Sequence, residues 1–418
     1  MRRLHRAWIV AATAFVALVM AAGFRSTTGV LLIPLHDEFG WSHGAISTAV
    51  FVNLLCFGFA APFAAALVER FGMRRVVSVA LATIAASSLL TIAITELWQL
   101  IVLWGVVNGA ATGAVSVPLA AIVANRWFVA RRGLVTGLLS ASNASGQLVF
   151  LPLLAWIAGF DWRWAALTVA GTALLAVLPI VIAFMRDRPE DVGLRPYGAA
   201  GPPPAPTPRP TFAASVRVLP EAFASPAFWV LAATFFVCGA TTSGLIATHL
   251  IPAAHDHGIA QVTAASLLAV IGVFDIVGTT ASGWLTDRYD ARRLLVVYYA
   301  MRGLSLLALP TALGAPEFGM LAFAVVYGLD WVATVPPTSA LTTARFGVER
   351  AGVVFAWIFA AHQFGAAAAA WGAGEIRTET GRYGLAFLIA GALAIVAAAL
   401  ILAIRRQAPQ REPVAVPA

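Results

Sequence analysis

Apolar stretches long enough to cross a bilayer recur about twelve times in this chain, and the polar links between them alternate between arginine-rich and arginine-poor. A helix needs ~20 apolar residues to span a ~30 Å hydrocarbon core, and a barrel strand about half as many. The runs at 8–35, 45–68, 76–94, 97–124, 133–157, 162–185, 226–251, 262–285, 294–313, 318–343, 351–371 and 383–404 are near or above the helical length. The expected fold is therefore an all-α polytopic membrane protein of twelve transmembrane helices. Composition agrees, since 60% of the 418 residues are hydrophobic and 11% charged, more apolar material than a soluble core of that size can hide.

Lysine is absent, so all 27 basic residues are arginines, and 22 of them fall at the amino end, in the even-numbered links or at the carboxyl end. The odd-numbered links carry Arg163, Arg377 and Arg382 but also Asp37, Glu38, Glu96, Asp161, Asp256, Glu317, Glu375 and Glu379. Positive charge collects on the cytoplasmic side of membrane proteins, which places both termini in the cytoplasm and the chain in the plasma (inner) membrane. A net charge of +8 spread over membrane links is topology, and nucleic acid is not an expected partner. The first run follows Arg2, Arg3 and Arg6 and is read as an uncleaved span because its apolar pattern continues through 29–35. Cys56 and Cys238 both fall in apolar runs, as packing residues rather than a disulfide framework.

Between 186 and 225 the texture changes: Pro189, Pro196, Pro202, Pro203, Pro204, Pro206, Pro208 and Pro210 forbid a long helix. That segment reads as a cytoplasmic tether between a six-helix bundle over 1–185 and another over 226–406, with a disordered tail at 407–418. The two halves also repeat each other. Glu69, Arg70, Arg74 and Arg75 return as Asp287, Arg288, Arg292 and Arg293 at an offset of 218, as do Pro34, Gly40 and Pro118 as Pro252, Gly258 and Pro336. Arg126, Arg131 and Gly133 return as Arg345, Arg350 and Gly352 at 219. Two like-oriented halves supply a pseudo-twofold axis along the membrane normal, a layout in which halves rock about a central site.

These residues carry a resemblance. The chain resembles the major facilitator superfamily, whose link after span two has the form Gly-x-x-x-Asp-Arg-x-Gly-Arg-Arg. The second copy keeps Gly283, Asp287, Arg288, Arg292 and Arg293; the first has Ala65 and Glu69 in place of the glycine and acid but keeps Gly72. An acid at a helix end and arginines across a short turn can form a charge-assisted latch between the halves, so Glu69, Arg70, Arg74, Asp287, Arg288 and Arg292 are expected to gate the inner face. The alternative is a plain positive-inside loop. Within the superfamily, the run from Asn125 through Trp127, Phe128, Arg131, Arg132 and Gly137, with Gly146 beyond, is similar to the monocarboxylate transporter and oxalate/formate exchanger branch.

Ionisable side chains inside the hydrocarbon core cost on the order of 2.5–3.5 kcal/mol on insertion scales, so each needs a partner or a task. Arg25 lies roughly 15 Å into span one from its outer end, where its fork of donors can hold a carboxylate or bond helix ends. Asp275 in span eight and Arg302 in span nine have matching depths and are expected to pair. The branch resemblance implies an arginine four residues after that acid, and Thr279 stands there instead. Asp330, in mid-span ten before Pro336 and Pro337, has no evident cation and reads as a proton carrier or a structural hydrogen-bonder. His362, beside Gln363, falls where the exchanger resemblance implies a basic substrate contact, or is a satisfied core histidine. Asn53, Asn108, Asn143, Gln147, Thr241, Thr242, Ser243 and His249 complete the expected polar lining.

His36, Asp37, Glu38 and His43 outside span one, with His255, Asp256 and His257 outside span seven, raise a competing reading in which a metal is collected at the outer mouth. No phosphate loop, zinc-protease helix or nucleophile elbow is present, so an enzyme and a cofactor are not expected. The expectation is a monomeric secondary carrier that moves a small organic anion with a proton, or by exchange, through alternating access. Arg25, Asn108, Asn143, Thr242, His362 and Gln363 would meet the substrate, and Asp275, Arg302 and Asp330 would couple protons. A proton-driven exporter of amphipathic compounds and a ligand-binding membrane sensor are the alternatives.

Overall fold

The computed structural model describes residues 5–115, 117–140, 142–199, 211–314 and 316–404, and its described secondary structure is helical. In the first half of the chain run α1 (Arg6–Phe39), α2 (His43–Phe71), α3 (Met73–Thr91), α4 (Leu97–Ala114), α5 (Val117–Trp127), α6 (Arg132–Ser140), α7 (Ser142–Ala158) and α8 (Trp162–Phe184). Two short helices follow, α9 (Phe212–Arg217) and α10 (Leu219–Phe223). The second half holds α11 (Pro226–His255), α12 (Gln261–Thr286), α13 (Ala291–Gly314), α14 (Pro316–Asp330), α15 (Val335–Phe346), α16 (Val348–Thr380) and α17 (Gly384–Ile401).

Among the described residues, eleven stretches are long and apolar enough to cross a membrane, α14 and α15 counting as one. The expected span at 133–157 is represented by α6 and α7, which end and begin on either side of position 141, so neither alone reaches spanning length. Helix ends follow local chemistry. The Ser42 hydroxyl caps α2 by accepting the Ala45 N–H at 3.1 Å, and α1 stops where Gly40 takes a left-handed φ of 68° and returns its N–H to the His36 carbonyl.

Gly72 and Asp187 meet at one end of the bundle, the arginine-rich end. There the Arg74 N–H donates to Asp187 at 2.8 Å, and the Tyr197 ring packs with His5, Trp8 and Phe128. At the opposite end Arg163 and the Trp162 indole donate to Glu38, and Arg377 donates to Asp256 at 2.7 Å.

The halves meet along α2 and α16. Phe51 packs on Trp371, Phe57 on Phe359 and Phe63 on Trp357, with ring centroids 6.0–6.5 Å apart. Close approach within the second half rests on glycine: a Cβ at Gly239 would lie 1.7 Å from the His362 carbonyl oxygen, and one at Gly365 1.9 Å from that of Phe236. At the arginine-rich end α9 wedges onto the same seam, because the Ser215 hydroxyl donates to the Pro62 carbonyl at 3.0 Å and the Trp357 indole donates to the Ser215 carbonyl at 2.7 Å.

Candidate functional site

Between the halves lies a cavity of about 80 Å³, walled by α1, α2, α7, α11, α12, α16 and the segment joining α14 to α15. Arg25, Thr28, Asn53, Ser243, Thr248 and Gln363 supply its polar wall, and Leu54, Leu151, Leu268 and Trp331 its apolar wall. Away from the arginine-rich end it is roofed by backbone contact. A Cβ at Gly29 would lie 2.7 Å from the Ala247 carbonyl oxygen, and the Gln261 amide donates across the halves to the Val30 carbonyl at 2.6 Å. Leu31, Leu32, Ile251 and Ala254 are fully buried in that roof.

The structure brings Arg25 and Gln363 to this cavity, from α1 and α16. The Arg25 guanidinium stands 5.4 Å from the centroid of Phe57, so an aromatic face supports the cation at the cavity wall. Gln363 Nε2 lies 3.2 Å from His362 Nδ1. His362 itself is held behind the wall, with its ring 5.6 Å from Phe359 in a parallel stack and 4.9 Å from Phe235.

Two other expected contacts turn elsewhere. Asn108 is fully buried and its amide donates to the Ser87 hydroxyl on α3 at 2.5 Å, so it fastens two helices of the first half instead of facing the cavity. Thr242 donates to the Cys238 carbonyl of its own helix at 2.7 Å, and its neighbour Ser243 takes the lining position. The side chains of Asn143 and Gln147 lie outside the described residues. Thr28 and Thr248 were missed, although signals existed. Thr28 follows Arg25 by one helical turn, and the 218-residue offset maps Arg25 onto Ser243 and Gly29 onto Ala247, one residue before Thr248.

The acids and arginine of the second half are paired differently from expectation. Arg302 binds Asp330, with Nε 2.7 Å from Oδ2, instead of Asp275, so Asp330 is not without a cation. Asp275 accepts the Thr279 hydroxyl at 2.7 Å and the Val332 N–H at 3.0 Å. Both changes have one cause. Pro336 and Pro337 lack N–H groups and interrupt the tenth span between Asp330 and Val335, leaving main-chain groups that buried side chains must satisfy.

The gating residues likewise find near partners. Glu69 accepts Arg126 at 2.5 Å and also Arg188, joining α2 to the end of α5 and to the start of the tether. Arg292 pairs with Asp290 at 2.9 Å and donates to the Ile404 carbonyl, while Arg288 lies over Trp284 and Arg70 over Phe71. Asp287 is exposed at the end of α12. Glu69 thus ties α2 to α5 and to the tether, and Arg292 ties the link after α12 to the end of α17. At the other end His36 Nδ1 donates to the Trp41 carbonyl at 2.7 Å, Glu38 and Asp256 serve arginines, and no three ligating side chains converge among the described residues.

A profile described as Major Facilitator Superfamily matches residues 13–370, which include every lining residue of the cavity named above. The chain belongs to this superfamily. It is accordingly a membrane transport protein and not an enzyme, and the roofed cavity between its halves is one state of an alternating-access fold. It is similar to "Monocarboxylate transporter 11" of Homo sapiens, 28% identical over 97% of this chain and 84% of that one. It is 22% identical to the "Uncharacterized MFS-type transporter YcxA" of Bacillus subtilis (strain 168), over 88% of this chain and 87% of that one. Among solved structures it is similar to a D-xylose-proton symporter, with TM-score 0.72 and 13% identity over 95% and 97% of the two chains. The inward-facing, occupied bacterial homologue of human lysosomal Spinster follows at TM-score 0.69 and 15% identity, over 94% and 95%. At these identities the structures speak to the fold alone.

Proposed function

We propose that this protein carries a small, monocarboxylate-like organic anion across the plasma (inner) membrane, with a proton or in exchange for a second anion. The observation that carries the reading is Arg25, a guanidinium on the wall of a cavity shared by both halves, with hydroxyls and amides from Thr28, Asn53, Ser243, Thr248 and Gln363 around the same space. A carboxylate can accept a bidentate pair from such a fork, and the hydroxyls suit a second polar group on the solute. The relatives named as monocarboxylate transporters support this choice over export of amphipathic compounds, as does the small cavity of about 80 Å³ with Arg25 among its described lining residues.

Twelve crossings, α6 and α7 forming the fifth, put both termini in the cytoplasm, and the monomer has its two bundles over 1–185 and 226–406 rocking about the cavity. Glu69, Arg70, Arg74, Asp287, Arg288 and Arg292 mark the inner gate. Proton coupling falls to Asp275, Arg302 and Asp330, which stand directly behind Trp331 of the cavity wall.

Uptake of labelled L-lactate, formate and oxalate into proteoliposomes, with and without an inward proton gradient, tests the reading. Saturable uptake of at least one of these anions is expected. A charge-assisted hydrogen bond contributes about 1.5–3 kcal/mol, so Arg25→Gln should weaken uptake about 10- to 100-fold and Arg25→Lys should do so less. Unchanged affinity in Arg25→Gln would remove the anion site. If Asp330 is the relay, Asp330→Asn should stop net proton-coupled flux and spare exchange; intact net flux rejects that role.

A further inference from the structure

The tenth span is two helices, and the gap between them is spliced by three side chains from two neighbouring helices. Arg302 of α13 donates to the Asp330 carbonyl at 2.6 Å and to the Trp331 carbonyl at 3.1 Å, as well as to the Asp330 carboxylate and to Cys238 Sγ at 2.8 Å. Asp275 of α12 accepts the Val332 N–H at 3.0 Å, and the Ser282 hydroxyl donates to the Ala333 carbonyl at 2.5 Å. The Val335 N–H closes the remaining turn on the Val332 carbonyl at 2.9 Å. Pro336 and Pro337 leave the Val332 and Ala333 carbonyls without their helical donors, which the Val335 N–H and Ser282 replace, while Arg302 and Asp275 serve the Asp330 and Trp331 carbonyls and the Val332 N–H that the interrupted helix leaves open.

The geometry points to Arg302 as a positioning residue for the cavity wall: its guanidinium holds the carbonyls of the α14–α15 break and so fixes the Trp331 indole against the solute space. Trp331 lies inside the break and lines the cavity, whereas Arg302 is fully buried and outside the lining. Only a planar group with several donors satisfies a carboxylate, two successive carbonyls and a sulfur at once, and an ammonium does not. An ordinary ion pair would depend equally on both charges. The splice depends on the arginine far more than on the Asp330 carboxylate, because an asparagine oxygen still accepts from Nε and the two carbonyl bonds do not involve that side chain. The bearing on transport rests on the cavity being the solute site proposed above; the placement of Trp331 does not.

The test is ¹⁹F NMR of full-length protein in nanodiscs, carrying 5-fluorotryptophan, with the Trp331 resonance assigned by Trp331→Phe and exposed Trp98 as control. Arg302→Lys keeps the buried charge and should displace and broaden the Trp331 resonance, while Asp330→Asn should leave it near its original position and Trp98 should not respond to either. Equal displacement by the two variants, or none by Arg302→Lys, overturns the splice in favour of a plain ion pair. Should Arg302→Lys fail to fold, Ser282→Ala removes a single splice bond and should displace Trp331 alone; an unmoved signal there likewise overturns the inference. Because no substrate enters the measurement, its failure is separate from failure of the anion reading.

Discussion

Arg25 and Arg302 have the same signature in the sequence, an arginine several turns inside an apolar run, yet their surroundings give them opposite work. Arg302 spends its donors on a carboxylate, two carbonyls and a thiol, while Arg25 lies on an aromatic ring with its side chain on the cavity wall. Hydropathy fixes depth along a helix, and depth is all the two share. The same limit applies to Asn108, whose polarity suited a cavity wall but whose amide meets Ser87. We expect Asn108→Ala to leave transport affinity unchanged and to lower stability by about 1 kcal/mol, read as a drop in the melting temperature of the purified protein. A KM change without a stability change would return Asn108 to the solute site.

At the scale of elements, the helix breaks were legible where proline marks them and obscure where tertiary contact does. Pro118 falls at the second position of α5 and Pro336 at that of α15, each just after an interruption, whereas Pro152 lies within α7. The packing of α11 on α16 could not be read so directly, because Gly239 and Gly365 are two of 35 glycines and only rotation about the helix axes puts them against a neighbouring carbonyl. Gly239→Ala should destabilise the protein by about 3 kcal/mol or more, since overpacking here meets backbone. Gly171→Ala, with nothing within 4 Å, should be neutral or raise stability by roughly 0.5–1 kcal/mol. Denaturant titration of the two variants side by side measures the contrast; equal effects would mean that α11 and α16 do not approach so closely.

For the whole molecule, transport requires that the roof of the cavity part and re-form, and α2 and α16 meet at its edge where the Gly44 N–H donates to Thr378 at 3.1 Å. A Cβ at Gly374 would stand 2.8 Å from that of Ser47, inside the ~3.5–4.5 Å that a disulfide spans, so a cross-link here needs the two helices to part by roughly 1 Å. A Ser47→Cys, Gly374→Cys double variant should lose uptake on oxidation and recover it on reduction, as liposome flux would record; full flux while cross-linked would show that this edge need not open. The duplicated loops at 69–75 and 287–293 were visible as a repeat, whereas the pairing of Glu69 with Arg126 and Arg188 was legible only in the tertiary structure.

The sequence by itself determined the membrane class, the helical architecture, the internal repeat and the depth of each buried charge, because hydropathy and charge are properties of position along one chain. The tertiary structure decided that Arg302 serves Asp330 and the broken backbone, that Asp275 serves Val332, and that Arg25 and Gln363 share one cavity. Those pairings depend on how each helix is rotated and on which neighbour has an unsatisfied group, and neither is a property of a single helix.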